Sequence, residues 1–196
     1  AGISDNERIN FRDMVNTISA FLMAQNFASQ APDYPVFKTL ISRQSRSQAV
    51  SEAMRVIADG RSKAGMALLD ALNLLDVDRI STGNSTYAKR VLAMFRNRGA
   101  GQVINRDELI KWDHGVEYFD LGASRLEPDF LVVVLAALVC TGEITLSIVG
   151  QKFDATGLAL LASTPLDDLI NFKHIDQPKD WNLPGLVALF KMLELP

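Results

Sequence analysis

The sequence predicts a mainly α-helical fold that carries a single β-hairpin. Three observations support this. Apolar residues recur at helical spacing through most of the 196-residue chain. The longest apolar run, Phe130 to Cys140, opens on Glu127-Pro128, a cap followed by proline at the first helical position. One stretch changes period: Ile144, Leu146 and Ile148 alternate with Thr145 and Ser147, as in a strand with one buried face.

The elements follow in order. Phe11, Met14, Val15, Ile18, Phe21 and Leu22 line one face of a first helix, which Pro32 and Pro35 end. Val36 to Ser42 reads as a short extended piece. Ser45 and Gln48 resemble a capping box before a second helix, with Val50, Ala53, Met54 and Ile57 inward and Gly60 at its C′ position. Leu68, Leu69, Leu72 and Leu75 form the stripe of a third helix, and Ser81 to Asn84 a turn. A second unit then opens with a helix through Tyr87, Val91, Leu92 and Phe95, stopped by Gly99 and Gly101. Asn105 and Glu108 cap a short helix whose Leu109, Ile110 and Trp112 are expected to face inward. The helix from Pro128 is apolar all round and should be buried on most sides. Ile144 to Ile148 turns at Val149-Gly150-Gln151 and returns through Lys152-Phe153-Asp154. Thr156 and Thr164-Pro165 start two short helices, and Pro184 a last one through Leu186, Leu189, Phe190 and Leu193. Helix, short helix, buried helix and hairpin is the order of a winged-helix domain. The expected organisation is therefore a helical subdomain over 1–83, a winged-helix-like subdomain over 84–164 and a helical tail over 165–196.

Composition narrows function. The chain is 48% apolar and 22% charged, with 20 basic and 23 acidic residues, which argues against disorder and against a uniformly basic nucleic-acid coat. Charge is uneven: residues 1–111 hold 15 basic and 11 acidic residues, net +4, and residues 112–196 hold 5 and 12, net −7. A single cysteine excludes an internal disulfide framework, and Cys140 sits where a thiol behaves as a small core hydrophobe. The apolar run is about half the ~20 residues that a membrane helix needs. A cytoplasmic piece of a longer protein is expected, because no initiator methionine and no signal peptide opens the chain.

Catalytic patterns are weak. Asp59 to Gly65 has the composition of a phosphate loop without its order, and Thr82 to Thr86 lacks the lysine. Asp113, His114, Glu117 and Asp120 lie close in sequence, but a Gly-bounded polar turn explains them as solvated loop. Asp167-Asp168 suits a helix first turn, and His174 has no carboxylate nearer than Asp176. No serine stands in Gly-x-Ser-x-Gly. No catalytic residue, metal ligand or cofactor site is assigned.

A basic stretch points to phosphate backbones instead. Arg79, Lys89, Arg90, Arg96, Arg98, Arg106 and Lys111 face only Asp107 and Glu108 between positions 79 and 111, a local net of +5. Lys152 would extend it at the hairpin tip. The helix in the recognition position carries no Arg, Lys, Asn or Gln to read base edges, so any contact would be to backbone. The candidate nucleic-acid contacts are Lys89, Arg90, Arg96, Arg98, Arg106, Lys111 and Lys152. The discriminating observation is whether these cations share one exposed face or pair with carboxylates.

Several stretches carry a family resemblance. They include Asp33-Tyr34-Pro35-Val36-Phe37, Leu69 to Asp76, Tyr87 to Leu92, Gly101 to Ile110 and Gly115 to Tyr118. The most characteristic are Leu126-Glu127-Pro128-Asp129-Phe130 with its apolar continuation to Val139, and Lys152 to Leu158; Phe172 to Ile175 and Pro178 to Pro184 follow. From about Pro32 onward the chain resembles an internal region of the large PglY-type phage-resistance ATPases of BREX-like defence systems. The resemblance implies a helper segment beside an ATPase motor. Its partners would be the remainder of the parent ATPase, other defence-system proteins or duplex DNA without sequence preference, and no membrane. The phosphate loop lies elsewhere in such proteins, so no ATP-binding residue transfers. The expectation is a non-catalytic interaction module, or else a structural spacer packed on the ATPase core with no ligand of its own.

Overall fold

A computed structural model of the chain describes residues 11–38, 41–99, 101–113, 115–121 and 124–178. The helix expected from Pro184 lies outside the described residues. Eight helices are described: α1 (Phe11–Gln30), α2 (Arg46–Ile57), α3 (Lys63–Ala71), α4 (Thr86–Arg96), α5 (Arg106–Leu109), α6 (Pro128–Cys140), α7 (Leu158–Ser163) and α8 (Leu166–Ile170). The described strands are β1 (Leu75–Asp76), β2 (Arg79–Ile80), β3 (Ile104–Asn105), β4 (Ile110–Asp113), β5 (Val116–Leu121), β6 (Ser124–Leu126), β7 (Thr145–Ile148), β8 (Gln151–Phe153) and β9 (His174–Asp176).

The mainly α expectation is overturned: the fold is mixed α/β, with three antiparallel sheets among the described residues. The hairpin β7–β8 is not an isolated wing. It belongs to a four-stranded sheet of order β3-β9-β7-β8, in which β9 separates β3 from β7. A meander, β4-β5-β6, stands between α5 and α6 where the winged-helix order has no sheet. The short strands β1 and β2 form a third, two-stranded sheet.

Local signals explain these departures. Glu108 caps α5 by accepting from the Asn105 N–H at 2.8 Å, but the helix ends after one turn and the chain becomes extended at Ile110. Trp112, expected inward, is consequently exposed on β4. Leu75 belongs to β1 rather than to the third helix. Ser45 does not cap α2; its hydroxyl bonds to Ser42 instead. The left-handed residue after α2 is Asp59, and Gly60 follows it, donating its N–H to the Arg55 carbonyl at 2.8 Å. Thr145 and Ser147, expected on a wet face, are buried, so β7 is covered on both sides.

One hydrophobic core runs from Val50 to Ile175. Its axis is α6, in which every residue from Phe130 to Val139 is buried. Around it pack α2, α4, α7, α8, β5 and β7. The α2–α3 pair is in turn held close by Gly65, above which a side chain would strike the Glu52 backbone. α1 stands apart from this core, and Phe11, Val15, Ile18, Phe21 and Leu22 of its apolar stripe are exposed.

Candidate functional site

The seven candidate nucleic-acid contacts do not form one free basic face. Arg90, on α4, donates to Asp33 Oδ2 at 2.8 Å and to the Leu121 carbonyl. Arg98 pairs with Glu108 and donates to the Val103 carbonyl. Arg106 pairs with Glu117 and donates to the Ile170 carbonyl at 2.8 Å. Lys152, on β8, is 2.9 Å from Asp176, so the hairpin lysine reaches across β7 to strand β9. Lys89, Arg96 and Lys111 are exposed, and no ion pair to a described residue holds them. Only Lys89 and Arg96 share an element, seven residues apart on α4. The Arg98 contact holds the Glu108 carboxyl below its ordinary value, reinforced by the Asn105 N–H.

Glu117, read from sequence as part of a solvated loop, is instead the partner of Arg106 on strand β5. His114 lies outside the described residues. No group of three His, Cys, Asp or Glu among the described residues is placed to hold a metal. No described helix is long and apolar enough to cross a membrane. Cys140 is half-buried, and its thiol is held above its ordinary pKa by burial and by the Asp59 charge. It lines an open recess of about 1000 Å³ with Asp59, Arg61, Lys63, Asp78 and Arg79. The charges there are mixed, and the nearby start of α3 is already satisfied by Ser62, whose hydroxyl accepts from the Gly65 N–H at 3.1 Å.

A second cluster brings together residues far apart in sequence. Tyr34 donates to the Glu127 carboxylate, its oxygens lying 2.9 and 2.7 Å away. Arg46 approaches Glu127 at 3.4 Å and Asp129 at 3.8 Å, with its guanidinium 5.7 Å from the Phe130 ring centroid. Next to it, Asp33 accepts from Arg90 and from the Ser124 hydroxyl at 3.0 Å, while Tyr87 donates to the Asp33 carbonyl at 2.9 Å. Burial, and then the Glu127 carboxylate, raise the Tyr34 phenol well above its ordinary pKa; burial and Asp33 do the same to Tyr87. Both phenols are therefore fixed donors. Among these partners, the cations Arg46 and Arg90 meet the anions Asp33, Glu127 and Asp129, and Arg46 Nε is buried with no hydrogen-bond partner; the cluster is a latch that ties the Asp33–Phe37 segment to the start of α6.

The latch fixes the base of α1. Phe27 meets Tyr34 edge-on at 5.0 Å, Tyr34 meets Phe37 at 6.1 Å, and Phe37 lies 5.2 Å from Phe130 at the start of the core helix. Sequence reading missed this site. Its two halves, Asp33 to Phe37 and Leu126 to Phe130, stand out as characteristic stretches, but nothing in their composition says that they meet.

A family model described as the fourth domain of a family of unknown function, DUF6079, matches residues 46–177, from the first residue of α2 to just beyond β9. No curated protein and no solved structure matches the chain. With its core, all three sheets and seven of its eight described helices inside the match, the chain belongs to the DUF6079 family, in its fourth domain.

Proposed function

We propose that this chain is a non-catalytic interaction module that works through protein contacts inside a longer cytoplasmic protein. The observation that carries the reading is α1: a 20-residue helix that holds an apolar face in water while the latch secures its base. Contact with DNA backbone is the weaker reading, because Arg90, Arg98, Arg106 and Lys152 are engaged with carboxylates of the same chain. The same internal pairing favours, as a second reading, a spacer without a ligand.

For the longer protein we propose a phage-resistance ATPase of the PglY type. The stretches from Asp33 to Phe37 and from Leu126 to Val139 support this by resemblance, and a domain numbered fourth in its family suits a multidomain parent. ATP chemistry belongs to another part of such a protein, and no residue here is given a role in it.

Two measurements test the proposal. In a fluorescence-anisotropy titration at low salt, a labelled DNA duplex is expected to show no binding. Binding that falls steeply with salt and disappears on charge reversal at Lys89, Arg96 and Lys111 would return the function to nucleic acid. In cells carrying the full-length parent, Leu22→Asp is expected to abolish phage resistance without lowering the protein's abundance. Undiminished resistance would favour the spacer.

A further inference from the structure

The exposed face of α1 has a definite pattern. Phe11, Val15, Ile18 and Leu22 follow at intervals of four, three and four residues, which sets them in one row along the helix. Their exposures are 75, 42, 41 and 76%. Phe21, also exposed, widens the row. Arg12 and Asp13 are the only charged residues in the helix.

We infer that this row pairs with the same row of a second copy of the chain, antiparallel about a two-fold axis. The inference rests on the reading of the chain as a protein-contacting module and names its partner. The spacing is the first argument. Four, three, four is unchanged when the helix is turned end for end, so Phe11 faces the second copy's Leu22 and Val15 faces its Ile18. A two-fold interface requires this self-complementarity.

Area is the second argument. The exposed parts of the five side chains amount to about 500 Å² per copy, so pairing removes ~1,000 Å² from water, the lower bound for a specific interface. Charge is the third. A helix with two charged residues in twenty presents almost no like-charge repulsion to its copy. Order is the fourth. The ring contacts from Phe27 to Phe130 and the Tyr34–Glu127 bond hold the helix base before any partner arrives, so pairing forfeits little conformational freedom.

Sedimentation equilibrium of the 196-residue chain tests the pairing. A dimer is expected at ~100 μM that dissociates on dilution, as befits a small interface. Ile18→Asp is expected to weaken it at least tenfold and leave the melting temperature unchanged, since Ile18 is outside the core. Spin labels on Asn26→Cys in a Cys140→Ala background fix the direction. At 1.5 Å rise per residue, the antiparallel register sets the two labels about 30 Å apart, against ~10 Å for a parallel pair. A wild-type monomer at ~100 μM, a dimer insensitive to Ile18→Asp, open-ended association, or a label separation near ~10 Å each overturns the proposal. A monomer would leave the protein-contact reading standing, because the DNA titration and the resistance assay address that separately.

Discussion

Gly65 gives the sharpest test of the packing around the core. It lies in the first turn of α3, facing α2. A Cβ placed there would lie 2.4 Å from the Glu52 carbonyl oxygen, 2.7 Å from its carbon and 2.9 Å from the Ala53 nitrogen. All three are backbone atoms of a helix and cannot rotate aside. Ordinary contact begins at 3.4 Å, so Gly65→Ala must push the helices apart by about 1 Å at this point. Overpacking of this kind costs about 1–3 kcal/mol, and a rigid backbone neighbour puts it in the upper half. The better helix propensity of alanine offsets about 1 kcal/mol. The net loss is about 1–2 kcal/mol, or ~2–8 °C in melting temperature for a chain of this size. Thermal and urea unfolding followed by circular dichroism measure it, with the neighbouring exposed Ala64→Gly as the control for propensity alone. If Gly65→Ala melts at or above the wild-type temperature, the close crossing of α2 and α3 is wrong.

Three further outcomes are expected. Val77, 88% exposed in the β1–β2 turn, holds a left-handed φ of 57°, which costs a β-branched residue about 1–2 kcal/mol; Val77→Gly should raise the melting temperature, with a net gain of up to ~1 kcal/mol. Tyr34→Phe removes a hydrogen bond to a carboxylate and should destabilise by about 1.5–3 kcal/mol, an effect that shrinks when Glu127 is already Gln, as a double-mutant cycle in urea will measure. Tyr34 and Tyr87 have folded-state pKa values above their unfolded value near 10, so their contribution is complete below pH 10 and declines as pH rises past it. Absorbance at ~295 nm should therefore show both phenols ionising only as the circular dichroism of the fold is lost.

Helices with a stop signal or an unbroken stripe were legible in the sequence. The prolines after Gln30 set the end of α1, and Pro128 set the start of α6. Strict alternation revealed β7. The short strands were not legible, because two or three residues such as Ile104-Asn105 or His174-Asp176 leave no period to detect. They are strands because of their pairing partners, and the partner of Ile104 is Ile175. The meander was masked by a genuine helix signal, since the Asn105–Glu108 cap starts a helix that lasts one turn. The basic stretch overstates the unpaired charge for a related reason. Counting charge between Arg79 and Lys111 omits carboxylates that arrive from elsewhere, such as Asp33 at Arg90 and Glu117 at Arg106. The latch escaped because Tyr34 and Glu127 are 93 residues apart.

The position of β9 has a consequence for how the chain folds. The four-stranded sheet receives an inner strand from residues 174–176, which bond to β3 on one side and β7 on the other. Until that segment has emerged from the ribosome, β3 has no partner and β7 is paired only with β8, so the four-stranded sheet cannot be completed. The late, sequence-distant pairing of Ile104 with Ile175 makes completion of this sheet a slow step compared with the local packing of α2 on α3. A chain shortened to end before His174 would keep its helices but expose two unpaired strand edges beside an apolar core, the form most prone to aggregate.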